Sequence, residues 1–275
     1  AWLPGLVGGL LAAPPEQLGM AALPRLKVLE SRGGLLLGGL RQGAPRSRVP
    51  NGGVGALAQR LAAELGPALR LNHAARGLHA TDGGWRVEGP EGPRDAATVV
   101  LALPTHAAIP LLARLPDLAA RLSVFRALDL RVWHSRHAPV PGWARGFNLL
   151  VHPPEGQGLL GAVALAEDDP RGVPGLLQVR TYLGGAYGVE PALQDWPGVF
   201  DALRHWLPEL GPAVQAREAS CPSAFPLLTP GHADEVARVL SHCPPGLHWL
   251  GATRFGPGLT NLADGVARWA ADATR

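Results

Sequence analysis

The sequence predicts an α/β chain, and three observations carry that prediction. The stretch "GLHWLGATRFGPGLTNLADGVARWA" (246–270) reads as a short apolar strand, a glycine-rich turn and an amphipathic helix. "ATVVLALP" (97–104) is a near-continuous apolar run of strand length, the pattern of a strand buried on both faces. Residues 125–183 fall into short strand-like runs separated by loops rich in Pro and Gly.

Taken in order, residues 14–42 carry helical spacing, with Leu23, Leu26 and Leu29 three apart, before a break at Gly33-Gly34. Asn51-Gly52-Gly53 is a turn. Val54, Leu57, Leu61 and Leu65 then mark one face of an amphipathic helix, stopped by Gly66-Pro67. The period changes at Leu69 and Leu71, and "ARGLHATDGGWRVEG" (75–89) reads as two strands about Asp82-Gly83-Gly84. Residues 52–104 thus read as helix, three-stranded meander and buried strand. Residues 105–122 look helical and broken by prolines. The runs "FRALDLRVW", "GFNLLV", "GLLGAVAL" and "LLQVRTYL" are strands, and 195–210 and 230–243 are amphipathic helices.

Composition narrows the function. The 275 residues are 47% hydrophobic with net charge +3, and no block of five like charges marks a nucleic-acid surface. Arginine supplies the cations almost alone, Lys27 being the one lysine. Two cysteines make neither a disulfide framework nor a metal cluster, so a reduced, cytoplasmic setting is the default. The chain begins Ala1-Trp2-Leu3-Pro4 and its one methionine is Met20, which reads as part of a longer protein.

Side-chain chemistry is sparse. The ten histidines form no ligand cluster, so no metal is expected; His248 reads as structural and His232 as a helix cap. There is no G-x-S-x-G nucleophile, and Asp168 and Asp169 read as solvated loop residues. No catalytic side chain stands out. The closing glycine turn aims several helix N–H groups at one point, which suits an anion or an electron-rich ring edge. It also reads as a plain tight turn in which glycines only permit packing. It is not a G-x-G-x-x-G fingerprint, and no acidic residue follows at the required distance.

Several stretches together, in order, resemble the protoporphyrinogen and coproporphyrinogen oxidases of the FAD-dependent amine-oxidase clan. Residues 2–40 resemble an early segment of that family, keeping Pro24, Leu26 and Glu30 but replacing its Ala-Gly pair within Leu10 to Ala13. "NGGVGALAQRL", "LRLNHAARGL", "ATVVLALPTHAAIPLL", "YLGGA" and "SAFPLLTPGH" follow in register, with Leu227-Leu228 in place of a polar-aromatic pair. Residues 246–270 resemble the flavin-contacting close, with Pro257 as a departure.

The resemblance implies a FAD/NAD(P)-binding amine-oxidase-like fold, incomplete here, in which an α+β substrate domain (1–51 and 111–243) is inserted in a partial FAD-binding domain (52–110 and 244–275). The family's G-x-G-x-x-G unit would precede Ala1, making the closing turn the second clamp on FAD. By resemblance Ala75 meets the adenine through its backbone, and Gly251 and Ala252 approach the pyrophosphate and ribityl region. Gly258, Leu259 and Thr260 bring N–H groups to the flavin's N1–O2 edge. The implied reaction is oxidation of a porphyrinogen to the porphyrin in haem biosynthesis, with oxygen as acceptor. A large, mostly apolar cavity along the 125–183 sheet is expected for the tetrapyrrole. A homodimer and peripheral membrane association are compatible with the family. An amine oxidase, a carotenoid desaturase and a non-catalytic tetrapyrrole-binding fragment stay open as alternatives.

Overall fold

A computed structural model of the chain describes residues 2–23, 50, 52–169 and 171–273. In chain order the first elements are α1 (Trp2–Leu11), α2 (Gly55–Leu65), β1 (Gly77–Thr81), β2 (Gly84–Glu88), β3 (Arg94–Ala96) and β4 (Val99–Leu101). There follow α3 (Pro116–Leu122), β5 (Ala127–His137), β6 (Phe147–Leu150), β7 (Leu159–Ala164), β8 (Leu177–Gly184) and α4 (Trp196–Trp206). The chain closes with β9 (Ala213–Pro226), α5 (His232–Ser241), β10 (Leu247–Trp249), the single turn α6 (Ala252–Phe255) and α7 (Leu259–Ala273). Of the helical segment expected over 14–42, residues 24–42 lie outside the described residues, and the described part forms two 3-10 turns, Pro15–Gln17 and Met20–Ala22, in place of a continuous helix.

The chain divides into two compact units, whose described residues are 2–16, 50, 52–66, 128–169 and 171–225 in the first and 17–23, 67–127 and 226–273 in the second. In the second unit Leu118 and Leu122 of α3 and Val239 of α5 share one core with Leu101, Leu247 and Trp249.

The first unit is built on an antiparallel sheet of order β6-β7-β8-β5-β9. One face is covered by α4, whose Val199 and Leu203 are fully buried against Leu159, Val179 and Leu183. That helix begins where Asp195 caps it, its side chain accepting from Gly198 N–H at 3.1 Å. On the buried face His137 is wholly enclosed. Its Nδ1 donates to Gly211 C=O at 2.7 Å, and its Nε2 accepts from the Ser135 hydroxyl at 2.9 Å. Burial pushes this imidazole below its ordinary pKa. Helix α2 forms as expected, but Leu57, Leu61 and Leu65 of its apolar stripe are exposed.

The second unit combines a meander of order β1-β2-β3 with a two-stranded parallel sheet, β10-β4. The meander's third strand is β3 and not the Leu69–Leu71 segment, because Pro67 and the turn at residues 71–72 interrupt the run. Trp85 links the two sheets: it is 2% exposed, and its indole N–H donates to Pro245 C=O at 3.1 Å. β4 is buried on one face only. Leu101 points into the core, while Val100 is 38% exposed, which corrects the expectation of a strand covered on both sides.

Candidate functional site

The candidate site is made by backbone, at the carboxyl ends of β4 and β10. The strands pair in parallel with Leu247 opposite Val99 and Trp249 opposite Leu101. Leu250 N–H then donates to Leu101 C=O at 3.0 Å, so both strands end at one level. That end of a parallel sheet is where α/β folds hold ligands.

Gly251 follows with φ 136° and ψ −177°, a conformation that suits glycine. A Cβ there would meet only Leu103 C=O, at 3.8 Å, so the space before this backbone is open. The N–H groups of Arg254 and Phe255 donate back to Gly251 C=O at 3.1 and 3.0 Å, closing α6. Gly256 (φ 90°) and Gly258 (φ 108°) complete the turn.

Helix α7 starts directly afterwards. Its first internal bond runs from Leu262 N–H to Gly258 C=O at 3.1 Å, leaving the N–H groups of Leu259, Thr260 and Asn261 without a helical acceptor. The Asn261 side chain does not cap them, because its amide donates to Pro257 C=O at 2.9 Å. Leu259 and Thr260 are exposed. No acidic residue occurs between Gly251 and Leu262, so no carboxylate in the first turn offsets the positive end of the helix dipole. Trp269 of α7 packs edge-on against His248 of β10, with ring centroids 5.3 Å apart. Ten residues of helix span about 15 Å. α7 therefore runs back along β10, and its N-terminus lies beyond that strand's carboxyl end.

Buried side chains fix the turn. His232 Nε2 donates to Thr253 C=O at 2.7 Å. Its ring meets Phe125 at 5.2 Å, and Phe125 meets Trp249 at 5.4 Å. The expectation of His232 as a helix cap is corrected: Gly231 precedes the helix, and His232, 5% exposed, reaches across to α6. Arg254 Nη1 donates to Trp249 C=O at 2.8 Å, and burial lowers its pKa. Gly265 lets α7 close on Phe255, since a Cβ would come within 2.4 Å of that ring. No signal in the sequence marks His232 or Arg254 as partners of the turn, because their acceptors are backbone carbonyls.

The structure thus gathers Gly251, Ala252, Gly258, Leu259 and Thr260 into one turn. Ala75 is separate: it is exposed, two residues before β1. The open approach at Gly251 and the uncapped α7 amides fit a dinucleotide's anionic and electron-rich groups. The donor set is backbone N–H, the kind that suits a phosphate or a ring carbonyl.

In the first unit the outer face of β8-β5-β9 carries a cavity of about 530 Å³, lined by His134, Arg136, Gln178, Arg180, Gln215 and Arg217 among others. It is cationic, whereas a separate cavity of about 300 Å³ in the same region is mostly apolar, lined by Val140, Trp143, Leu165 and Leu177 among others. Alternation explains the cationic face, since the outward residues of β5 and β8 are polar where their inward ones are Trp133, Ser135, Val179 and Thr181. Asp169 is not a freely solvated loop residue either. Its carboxylate accepts from Arg171 N–H at 2.9 Å and Nε at 2.7 Å, which lowers its pKa to about 2.

Residues 2–223 match the family model described as flavin containing amine oxidoreductase. Among solved structures, the chain is similar to a provisionally named protoporphyrinogen oxidase from Exiguobacterium sp. 255-15, at 20% identity and TM-score 0.75, over 95% of this chain and 60% of that one. It is similar to cyclohexylamine oxidase from Brevibacterium oxydans IH-35A at 17% identity and TM-score 0.67, over 99% and 64% of the two chains. A reduced UDP-galactopyranose mutase aligns at 11% identity and TM-score 0.68, over 92% and 58%. The chain therefore spans about three fifths of the length of the structures it resembles.

Proposed function

The chain belongs to the flavin-containing amine oxidoreductase family, and from that premise we propose that it serves an FAD-dependent oxidase acting on a porphyrinogen, protoporphyrinogen or coproporphyrinogen, with oxygen as acceptor. The observation that carries the reading is the open glycine turn at the carboxyl ends of β4 and β10, followed by α7 with uncapped amides. In this reading the β4–β10 region belongs to the FAD side, and the antiparallel sheet belongs to the substrate side. FAD, when bound, supplies hydride acceptance, the step that no side chain here could perform.

The protein's own residues bind and orient. Gly251 and Ala252 let the dinucleotide approach the backbone. The amides of Gly258, Leu259 and Thr260 donate to the ring edge where negative charge develops, and the α7 dipole adds to that stabilisation. His232 and Arg254 hold the turn in shape, so that these donors need no rearrangement. Ala75 offers its backbone to the adenine. The likeness to a protoporphyrinogen oxidase supports the substrate; the likeness to cyclohexylamine oxidase favours an amine as the second reading.

A donor panel tests the choice. The chain is supplied with excess FAD and, where binding needs it, the remaining portion of a family member. It is then mixed without oxygen with protoporphyrinogen, coproporphyrinogen or cyclohexylamine. Bleaching of the flavin band by a porphyrinogen is the expected result. Bleaching by cyclohexylamine alone would replace the substrate assignment with the second reading.

A further inference from the structure

The cationic cavity of the first unit is a built arrangement. Register sets His134 opposite Arg180 and Arg136 opposite Gln178. Arg136 Nη1 donates to Gln215 Oε1 at 2.8 Å, which brings the neighbouring strand's Gln215 and Arg217 to the same face. Glu218 also lines the cavity, but its carboxylate is taken by Arg131. Asp169, the acid that feels Arg180, is taken by Arg171. Among the described residues neither Arg180 nor Arg217 has an ion-pair partner.

Three guanidinium groups, those of Arg136, Arg180 and Arg217, share this concavity with one imidazole. Desolvation, then Arg180, then Arg217 push His134 below its ordinary pKa, so at neutral pH it is an uncharged hydrogen-bonding group. Like charges gathered across neighbouring strands weaken a sheet. They become favourable when an anion completes them, and a guanidinium fork matches a carboxylate in two parallel hydrogen bonds. The flanking amides of Gln178 and Gln215 add neutral donors. The site is a compact hollow, not an extended basic stripe, so it suits a discrete acid group and not a polyanion.

We propose that the outer face of β8-β5-β9 grips a carboxylate of the substrate, with Arg180 and Arg217 as the charged partners and His134, Gln178 and Gln215 as neutral ones. This rests on the tetrapyrrole reading for the identity of the ligand but not for the existence of the site. It gives the substrate sheet a means of selecting acidic over uncharged substrates.

Binding to the 275-residue chain, without flavin or turnover, tests it. The probes are coproporphyrin, which carries four carboxylates, its tetramethyl ester, citrate and inorganic phosphate; the proteins are the native chain and R180Q/R217Q. The expected result is that coproporphyrin binds about tenfold or more tighter than its ester, and that the variant loses this difference. The comparison of acid with ester needs only the native chain, so it stands even if the variant folds poorly. Equal binding of acid and ester overturns the site while leaving a tetrapyrrole substrate intact. Arginine-dependent binding of citrate with no porphyrin binding upholds the carboxylate site and removes the tetrapyrrole. Phosphate binding as tight as citrate, or no binding of any probe, overturns the proposal.

Discussion

The glycine turn of the second unit and the cationic face of the first achieve recognition by opposite means. At Gly251 to Thr260 the donors are peptide N–H groups, and side chains serve only to hold the backbone still. On the face of β8-β5-β9 the peptide groups lie in the plane of the sheet, and recognition is left to Arg136, Arg180, Arg217, His134 and two glutamines. A backbone site depends on glycines with left-handed φ and on a stable core beneath. A side-chain site depends on register. The two should therefore fail under different mutations.

The largest effect should come from the core under the turn. Trp85→Ala removes a buried indole and its hydrogen bond to Pro245 C=O, and should cost about 3–5 kcal/mol. A calorimetric melt should show the transition of the second unit moving down while that of the first is retained. Loss of both transitions together would break the comparison, since the units would then not be separable.

A smaller effect is expected at His232. His232→Ala leaves the Thr253 carbonyl without its partner and should cost about 1–3 kcal/mol. Hydrogen exchange should quicken at Arg254 to Gly256, whose N–H groups close α6. Unchanged exchange there would show that the turn does not need His232. The Asp195→Ala change at the α4 cap should cost about 1 kcal/mol and lower the first unit's melt alone.

The smallest effect is a pH dependence confined to the first unit. His137 has a folded pKa below its unfolded value, so the unfolded chain takes up the proton first. Stability is then complete above the unfolded pKa, near 6.5, and falls as pH drops from there towards the folded pKa. A melt series from neutral to mildly acidic pH should show this in the native chain, with a weaker slope in His137→Asn.

What the sequence made legible follows the same division. The glycine turn could be read because Gly251, Gly256 and Gly258 are marks of backbone geometry, and strands such as 176–183 could be read from alternation. β9 was missed: "AVQAREASCPSAFP" has small and charged residues, a proline and no clear alternation, features tolerated at a sheet edge. Without β9 nothing places Arg217 on the face that carries His134 and Arg180, so the cationic face had no sequence signal. The role of His232 was hidden likewise, since its partner is a carbonyl 21 residues away. The leucine stripe of α2 was legible as a helix, but its exposure was not, because amphipathicity says which face is apolar and not what covers it.

We propose that the turn beginning at Gly251 holds FAD. Titrating FAD against the native chain, Gly251→Val and Gly175→Ala, with flavin fluorescence as readout, tests it most directly. Both substitutions place a side chain at positive φ, at a strain of about 1–3 kcal/mol, but Gly175 (φ 75°) lies in a first-unit loop with open space around it. A single turn of backbone donors should give weak binding, with half-saturation on the order of micromolar FAD or above. Saturable binding is expected in the native chain and in Gly175→Ala, and its loss in Gly251→Val. Equal FAD affinity in Gly251→Val and the native chain would contradict it.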